Sequence, residues 1–134
     1  GLEQLVDAMA IVRSGNDQVR LVVCGDGPLK ESLEQRVRNH GLDGAGELVG
    51  RVSDEDLGRH YQAADAFAVP TTAMEGFGIS TGEALSANLP AIGTPAGATP
   101  EILNAIDPRL LTSDTTAEGI AVGITSLLDW PIST

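Results

Sequence analysis

Short apolar runs alternate with longer amphipathic stretches from one end of this chain to the other, and that rhythm admits few folds. Arg20–Cys24 (RLVVC), Leu48-Val49-Gly50, Ala66–Val69 (AFAV), Ala91-Ile92-Gly93 and Leu110-Leu111 are apolar without polar alternation. Runs of that kind suit strands covered on both faces. Between them apolar residues recur at helical spacing: Leu2, Leu5, Val6, Met9 and Val12, then Leu29, Leu33 and Val37, then Leu57, Tyr61 and Ala64. A last face carries Ile120, Ile124, Leu127 and Leu128. Boundary residues agree with this division. Pro28 suits a first helical position, and Gly41 a left-handed turn after His40. Ser53 predicts a cap ahead of Asp54, Glu55 and Asp56, whose charges complement the helix dipole. A further helix is expected near Ile79 to Ala87. Thr99-Pro100-Glu101 reads as N-cap, N1 and N2 of a short helix, and Thr115-x-x-Glu118 as the capping box of the last one. Strands buried on both faces and alternating with helices define an α/β fold, a doubly wound, Rossmann-like parallel sheet. The alternation nevertheless opens with a helix, whereas such domains open with a strand that becomes central in the sheet. The sequence is therefore read as a single domain, residues 1–134, whose first strand is missing.

Composition narrows the partners. Apolar residues make up 42% and aromatics 3%, so the core must be built from Leu, Ile, Val and Ala. Eight Lys and Arg stand against 19 Asp and Glu, a net charge of −11. That balance argues against nucleic acid, whose binding rests on a dense basic surface, and against a polybasic membrane contact from this part of the chain. An anionic small ligand stays compatible, because backbone N–H groups at helix N-termini hold phosphate without side-chain cations. No apolar run is long enough to span a membrane and nothing reads as a signal peptide, although Gly1 opens abruptly on a helical pattern and an upstream segment is expected. Cys24 is the only cysteine, which excludes an internal disulfide and makes the cytoplasm the default compartment.

Ligands of such sheets sit where strands pass into helices at their carboxyl ends. Four loops occupy those places: Gly25-Asp26-Gly27-Pro28, Gly50-Arg51-Val52, Pro70 to Gly78, and Thr94 to Pro100. The densest stretch runs PTTAMEGFGISTGE, with Glu75 in the loop, Glu83 inside the following helix and seven residues between them. Gly76 and Gly78 take away Cβ atoms where backbone must approach a ligand. Free N–H groups from Gly78 to Thr81 would face an anion, and ionised carboxylates on either side would accept hydrogen bonds from sugar hydroxyls.

That stretch, followed by Pro90 and by Thr94-Pro95-Ala96-Gly97-Ala98-Thr99-Pro100-Glu101, resembles family 4 of the GT-B glycosyltransferases, in their C-terminal donor-binding domain. Gly25-Asp26-Gly27-Pro28-Leu29, Gly50-Arg51-Val52, Tyr61 with Ala64-Asp65, and Ile106-Asp107-Pro108-Arg109-Leu110-Leu111 resemble further blocks of that family in the right order. A lone pair of glutamates at this spacing would be a weak signal; the ordered set is specific. The resemblance implies an enzyme that transfers a sugar from a nucleoside-diphosphate-sugar with retention of configuration, without metal or other cofactor. It implies that Glu75 contacts the donor hexose and is the candidate catalytic carboxylate, and that Glu83 holds the ribose hydroxyls. Gly76, Phe77, Gly78 and Ile79 correspond to the segment whose backbone donates to sugar and diphosphate. Arg51 and Val52 correspond to the turn that meets the base, and Gly25 and Gly27 to the loop beside the diphosphate.

Two positions depart from the family pattern. Asn88 stands where glycine is common, and Asn is the best non-glycine choice for a left-handed helix end. Ala98 stands where a second glycine is frequent, and its methyl would narrow the sugar pocket. The family's diphosphate-binding Arg and Lys precede the position of Gly1, and its acceptor-binding N-terminal domain is a further implied partner, so residues 1–134 correspond to a donor-binding half with little turnover alone. Alternatives stay open at this point: another GT-B enzyme such as a nucleotide-sugar epimerase, a non-catalytic α/β binding module, or a degenerate domain kept for assembly. Lys30, His40, His60 and Cys24 read most simply as structural residues.

Overall fold

The computed structural model describes residues 1–24, 30–70, 79–87, 89–97 and 99–129, with backbone alone for 79–82. Helices and strands alternate as α1 (Leu2–Gly15), β1 (Leu21–Cys24), α2 (Lys30–Asn39), β2 (Gly46–Gly50), α3 (Asp54–Ala63), β3 (Phe67–Val69), α4 (Ile79–Ser86), β4 (Ala91–Gly93) and α5 (Thr99–Asn104). A 3-10 turn, Pro108–Leu110, and α6 (Ala117–Leu128) complete the order. No helix among the described residues is long and apolar enough to cross a membrane.

All strand pairing is parallel. β1 runs beside β2, with Leu21 opposite Gly46 and Cys24 opposite Gly50 across an irregularity after Val23. β3 runs beside β4, pairing Phe67 with Ala91, Ala68 with Ile92 and Val69 with Gly93. Leu111 adds a single parallel bridge to Gly93. The pairs form two sheets, β2-β1 and β3-β4-Leu111. Set end to end they reproduce the doubly wound order 3-2-1-4-5-6, with no strand at the central position among the described residues. The doubly wound α/β class thus follows from pairing as well as from periodicity.

What joins the two sheets is α1. Its face of Leu5, Val6, Ala8, Met9 and Val12 is buried in a core that also takes Leu33 and Val37 of α2, Ala91 and Ile92 of β4, and Ile120, Ala121, Ile124 and Leu127 of α6. α1 touches α2 on one side and packs along α6 on the other. An ionic cluster reinforces the first of these contacts. Arg36 of α2 donates through Nη1 to both carboxylate oxygens of Asp7, at 3.0 and 2.8 Å, and His40 Nε2 lies 2.7 Å from Oδ1. Because an ionised carboxylate can only accept, Nε2 carries the proton in this contact. Burial raises the Asp7 carboxyl, but the hydrogen bonds from His40 and Arg36 outweigh it and hold the group below its ordinary value. The stability this contributes is present above about pH 3.9, the unfolded value, and is lost as pH falls through the lower folded value. The side chains are about a third exposed, so the loss should be about 0.5–1 kcal/mol. Urea unfolding at pH 6 and pH 3 measures it, and Asp7→Asn should flatten the acid side of the profile.

Several boundaries behave as the sequence predicts. Gly41 has φ 67° after α2, and Ser53 Oγ accepts from Asp56 N at 3.1 Å. Others are corrected. The strands are not all covered on both faces: β4 is buried throughout, but Val22 in β1 is 43% exposed and Cys24 is half-buried. A strand paired on one edge only has less to cover it. α3 likewise has no fully buried residue; Leu57 and Tyr61 are half-buried and Ala64, just past it, is exposed. Thr99 is the first residue of α5 and not its cap: its buried hydroxyl has no partner among the described residues, and its methyl lies where a Cβ on Gly93 would stand. Leu110 belongs to the 3-10 turn, leaving Leu111 as a one-residue strand. That turn is capped by Asp107, whose Oδ1 accepts from Arg109 N at 2.9 Å.

The last helix starts later than its capping-box pattern suggests. Its N-cap is Thr116, whose Oγ1 accepts from Gly119 N at 3.1 Å, while Asp114 Oδ1 accepts both the N–H and the hydroxyl of Thr116. Gly119 permits this arrangement, since a Cβ there would collide with the Asp114 carboxylate. Leu128, expected in the core, is 37% exposed.

Candidate functional site

Parallel pairing brings the carboxyl ends of β1 and β2 to one edge, and likewise those of β3 and β4. At β2 that end is Gly50, with φ 75°, a left-handed conformation that turns the chain sharply outward. Arg51 follows, fully on the surface, and then Val52, half-buried. At β3 the end is Val69-Pro70. Thr94, just past β4, closes against it: both its N–H and its hydroxyl donate to the Val69 carbonyl, at 3.1 and 3.2 Å. Thr94 is buried and committed to the sheet, so it fixes the rim rather than facing a ligand. The amino end of α1 reaches the same rim. A Cβ on Gly1 would overlap the Pro70 carbonyl, so only glycine fits there.

Glu83 is the described centre of the site. It lies one turn into α4, the helix that follows β3, and its side chain is exposed. The Tyr61 hydroxyl of α3 donates to Glu83 Oε2 at 3.3 Å. Tyr61 is itself held edge-on against Phe67 of β3, with ring centroids 5.8 Å apart and planes at 63°, a favourable aromatic geometry. Burial raises the phenol above its ordinary value, and the Glu83 carboxylate and, more weakly, Cys24 at the end of β1 add to the rise. The phenol is thus protonated and able to donate at neutral pH. Burial also pushes the Cys24 thiol up, away from the reactive thiolate.

Of the residues singled out from sequence, Arg51, Val52 and Glu83 are described with their side chains, and Ile79 as the first residue of α4 in backbone only. Gly25 and Gly27, between β1 and α2, lie outside the described residues, as do Glu75, Gly76, Phe77 and Gly78, between β3 and α4. Asn88 and Ala98 also lie outside them. What the sequence reading missed is the role of Tyr61, taken as an inner-face residue of its helix. A signal was present: it is the only tyrosine of a chain with 3% aromatic residues, and it sits in a block shared with the resembled family.

Known structures share this fold. The C-terminal domain of a glycosyl transferase group 1 family protein, LpcC of Francisella tularensis, superposes with a TM-score of 0.83 at 27% identity, over 97% of this chain and 69% of that one. Anabaena HepE, solved in complex with UDP and glucose, superposes with a TM-score of 0.81 at 23% identity, over 96% of this chain and 35% of the other. The fold is that of the C-terminal, Rossmann-like half of a GT-B glycosyltransferase. The chain belongs to the family described as Glycosyl transferases group 1, which it matches over residues 1–133. Among curated relatives, a GDP-mannose-dependent alpha-(1-6)-phosphatidylinositol monomannoside mannosyltransferase of Mycobacterium tuberculosis is 29% identical over 96% of this chain. The sulfoquinovosyl transferase of Arabidopsis thaliana is 30% identical over 77% of it. The chain spans 35% of the length of the first and 19% of the second.

Proposed function

We propose that residues 1–134 form the donor-binding half of a retaining glycosyltransferase, which takes a sugar from a nucleoside-diphosphate-sugar and passes it to an acceptor held by an N-terminal domain. The observation that carries this reading is an exposed carboxylate, Glu83, one turn into the helix after β3, in a chain that matches a glycosyltransferase family almost end to end. Glu83 accepts the ribose hydroxyls, which suits an ionised carboxylate because each oxygen takes two donors. The N–H groups at the start of α4, from Gly78 to Thr81, receive the diphosphate. Arg51 and Val52 meet the base, Gly25 and Gly27 border the diphosphate, and Glu75 faces the transferred sugar as the catalytic carboxylate. Oriented backbone dipoles, together with the diphosphate-binding Arg and Lys that the family carries ahead of the position of Gly1, stabilise the leaving diphosphate, so the transfer needs no metal. The reaction takes place in the cytoplasm, and it needs both domains because the acceptor must be presented to the sugar in reacting geometry.

Titrating UDP, GDP and ADP by calorimetry into the full-length protein that carries this chain tests the reading. One of the three should bind in the micromolar range, and magnesium chelation should leave that affinity unchanged. Heat traces without binding for all three would overturn the assignment of a donor site.

A further inference from the structure

Tyr61 stands where a nucleotide site needs no aromatic side chain for packing alone. Its ring is only half-buried, on a helix that has no fully buried residue, yet its hydroxyl reaches across to α4 and ends on Glu83. A glutamate on a helix surface ordinarily samples several rotamers, and ordering it on ligand binding has an entropic cost. The phenol removes part of that freedom in advance. It takes one lone pair of Oε2, leaving Oε1 and the remaining lone pair of Oε2 for two further donors. The phenol is in turn fixed by the edge contact with Phe67, which roots the arrangement in β3, the strand whose end leads to the site. Strand, aromatic pair and carboxylate thus form a connected series from the sheet to α4, its last link a long hydrogen bond of 3.3 Å.

We propose that Tyr61 is a positioning residue that pre-orders Glu83 for two vicinal hydroxyls, so that the site selects ribonucleoside over deoxyribonucleoside diphosphates. This rests on the reading of Glu83 as the ribose anchor. Tyr61 touches no ligand atom; its effect passes entirely through the carboxylate.

The test uses the full-length protein and whichever of UDP, GDP or ADP binds it, beside the 2′,3′-dideoxy form of the same nucleotide. Tyr61→Phe keeps the ring and its contact with Phe67, so melting should stay within about 2 °C of the parent, as for a surface change. Its affinity for the ribonucleotide should fall about three- to tenfold, the range expected when one side chain must be ordered on binding. Affinity for the dideoxy form should not change. In a Glu83→Ala background the same substitution should have no further effect. An unchanged ribonucleotide affinity in Tyr61→Phe would overturn the inference while leaving the ribose role of Glu83 intact. Equal losses for both nucleotides, or losses that add to those of Glu83→Ala, would also overturn it, by showing that the phenol acts on the fold. Were Glu83→Ala itself to bind ribonucleotide as well as the parent does, the ribose reading would fall, and the role of Tyr61 with it.

Discussion

Glu75→Ala should lower the turnover of the full-length protein by about a hundredfold or more, the usual loss when a group aimed at developing charge is removed, and should leave nucleotide affinity nearly unchanged. Glu83→Ala should do the reverse. Hydrogen bonds to a charged group are worth about 1.5–3 kcal/mol each, so losing the ribose contacts should weaken nucleoside diphosphate binding by about 10- to 100-fold. The two carboxylates are alike in chemistry and separated by seven residues, but under the function proposed above they meet different parts of the donor. Glu83 meets the leaving nucleotide, which is held alike before and after bond cleavage, so its loss belongs to binding. Glu75 meets the sugar, whose charge changes in the transition state, so its loss belongs to kcat. Steady-state kinetics with saturating donor, beside calorimetry with the free nucleotide, separates the two. A Glu75→Ala enzyme with parental kcat, or a loss of nucleotide affinity equal to that of Glu83→Ala, would contradict this division.

Leu103→Ala should destabilise the domain by about 3–4 kcal/mol, within the range for leucines truncated in well-packed cores. Leu103 is completely buried in α5 and presses on β4 where Gly93 leaves room, a Cβ at Gly93 lying only 2.8 Å from Leu103 Cδ1. The fit is close on both sides, so little can collapse into the space left by the lost side chain. With urea slopes of roughly 1–3 kcal/mol per molar for small domains, the midpoint should fall by more than about 1 M at unchanged slope. Ile106→Ala makes the comparison: Ile106 lies just past the same helix but is 56% exposed, and its removal should stay within about 0.5 kcal/mol. Similar midpoints for the two variants would show that α5 is not locked against β4.

Periodicity made α1, α2 and α6 legible because each buries a stripe against several neighbours, so that spacing and burial coincide. It also placed β4, a three-residue strand buried throughout. It overstated the cover on β1 and α3, since an apolar run records what a residue tolerates and not how many neighbours its strand has. Cap positions failed where tertiary contacts chose among adjacent hydroxyls. The capping-box rule favours Thr115 through Glu118, but Asp114, accommodated by Gly119, decides for Thr116. At the site, Glu83 was readable as a motif position on the helix after β3, and Arg51 and Val52 as motif positions on the turn after β2. The partnership with Tyr61 was not, because it joins residues 22 positions apart on different helices. No local spacing encodes a contact of that kind.

The split sheet carries a consequence for how copies of this unit behave together. Among the described residues no strand pairs with the second edge of β1, Leu21-Val22-Val23-Cys24, or of β3, Phe67-Ala68-Val69, and neither strand carries a charge or a proline. Proteins usually blunt such rows with lysines, prolines or bulges, since an open row is a template for another chain. Here the irregularity after Val23 lies in the ladder to β2, not on the open side. Mutual repulsion from a net charge of −11 is then the main barrier to edge-to-edge aggregation. That barrier is electrostatic and weakens within a Debye length of about 8 Å at physiological salt. Raising the salt concentration therefore weakens the repulsion that keeps those edges apart in separate copies.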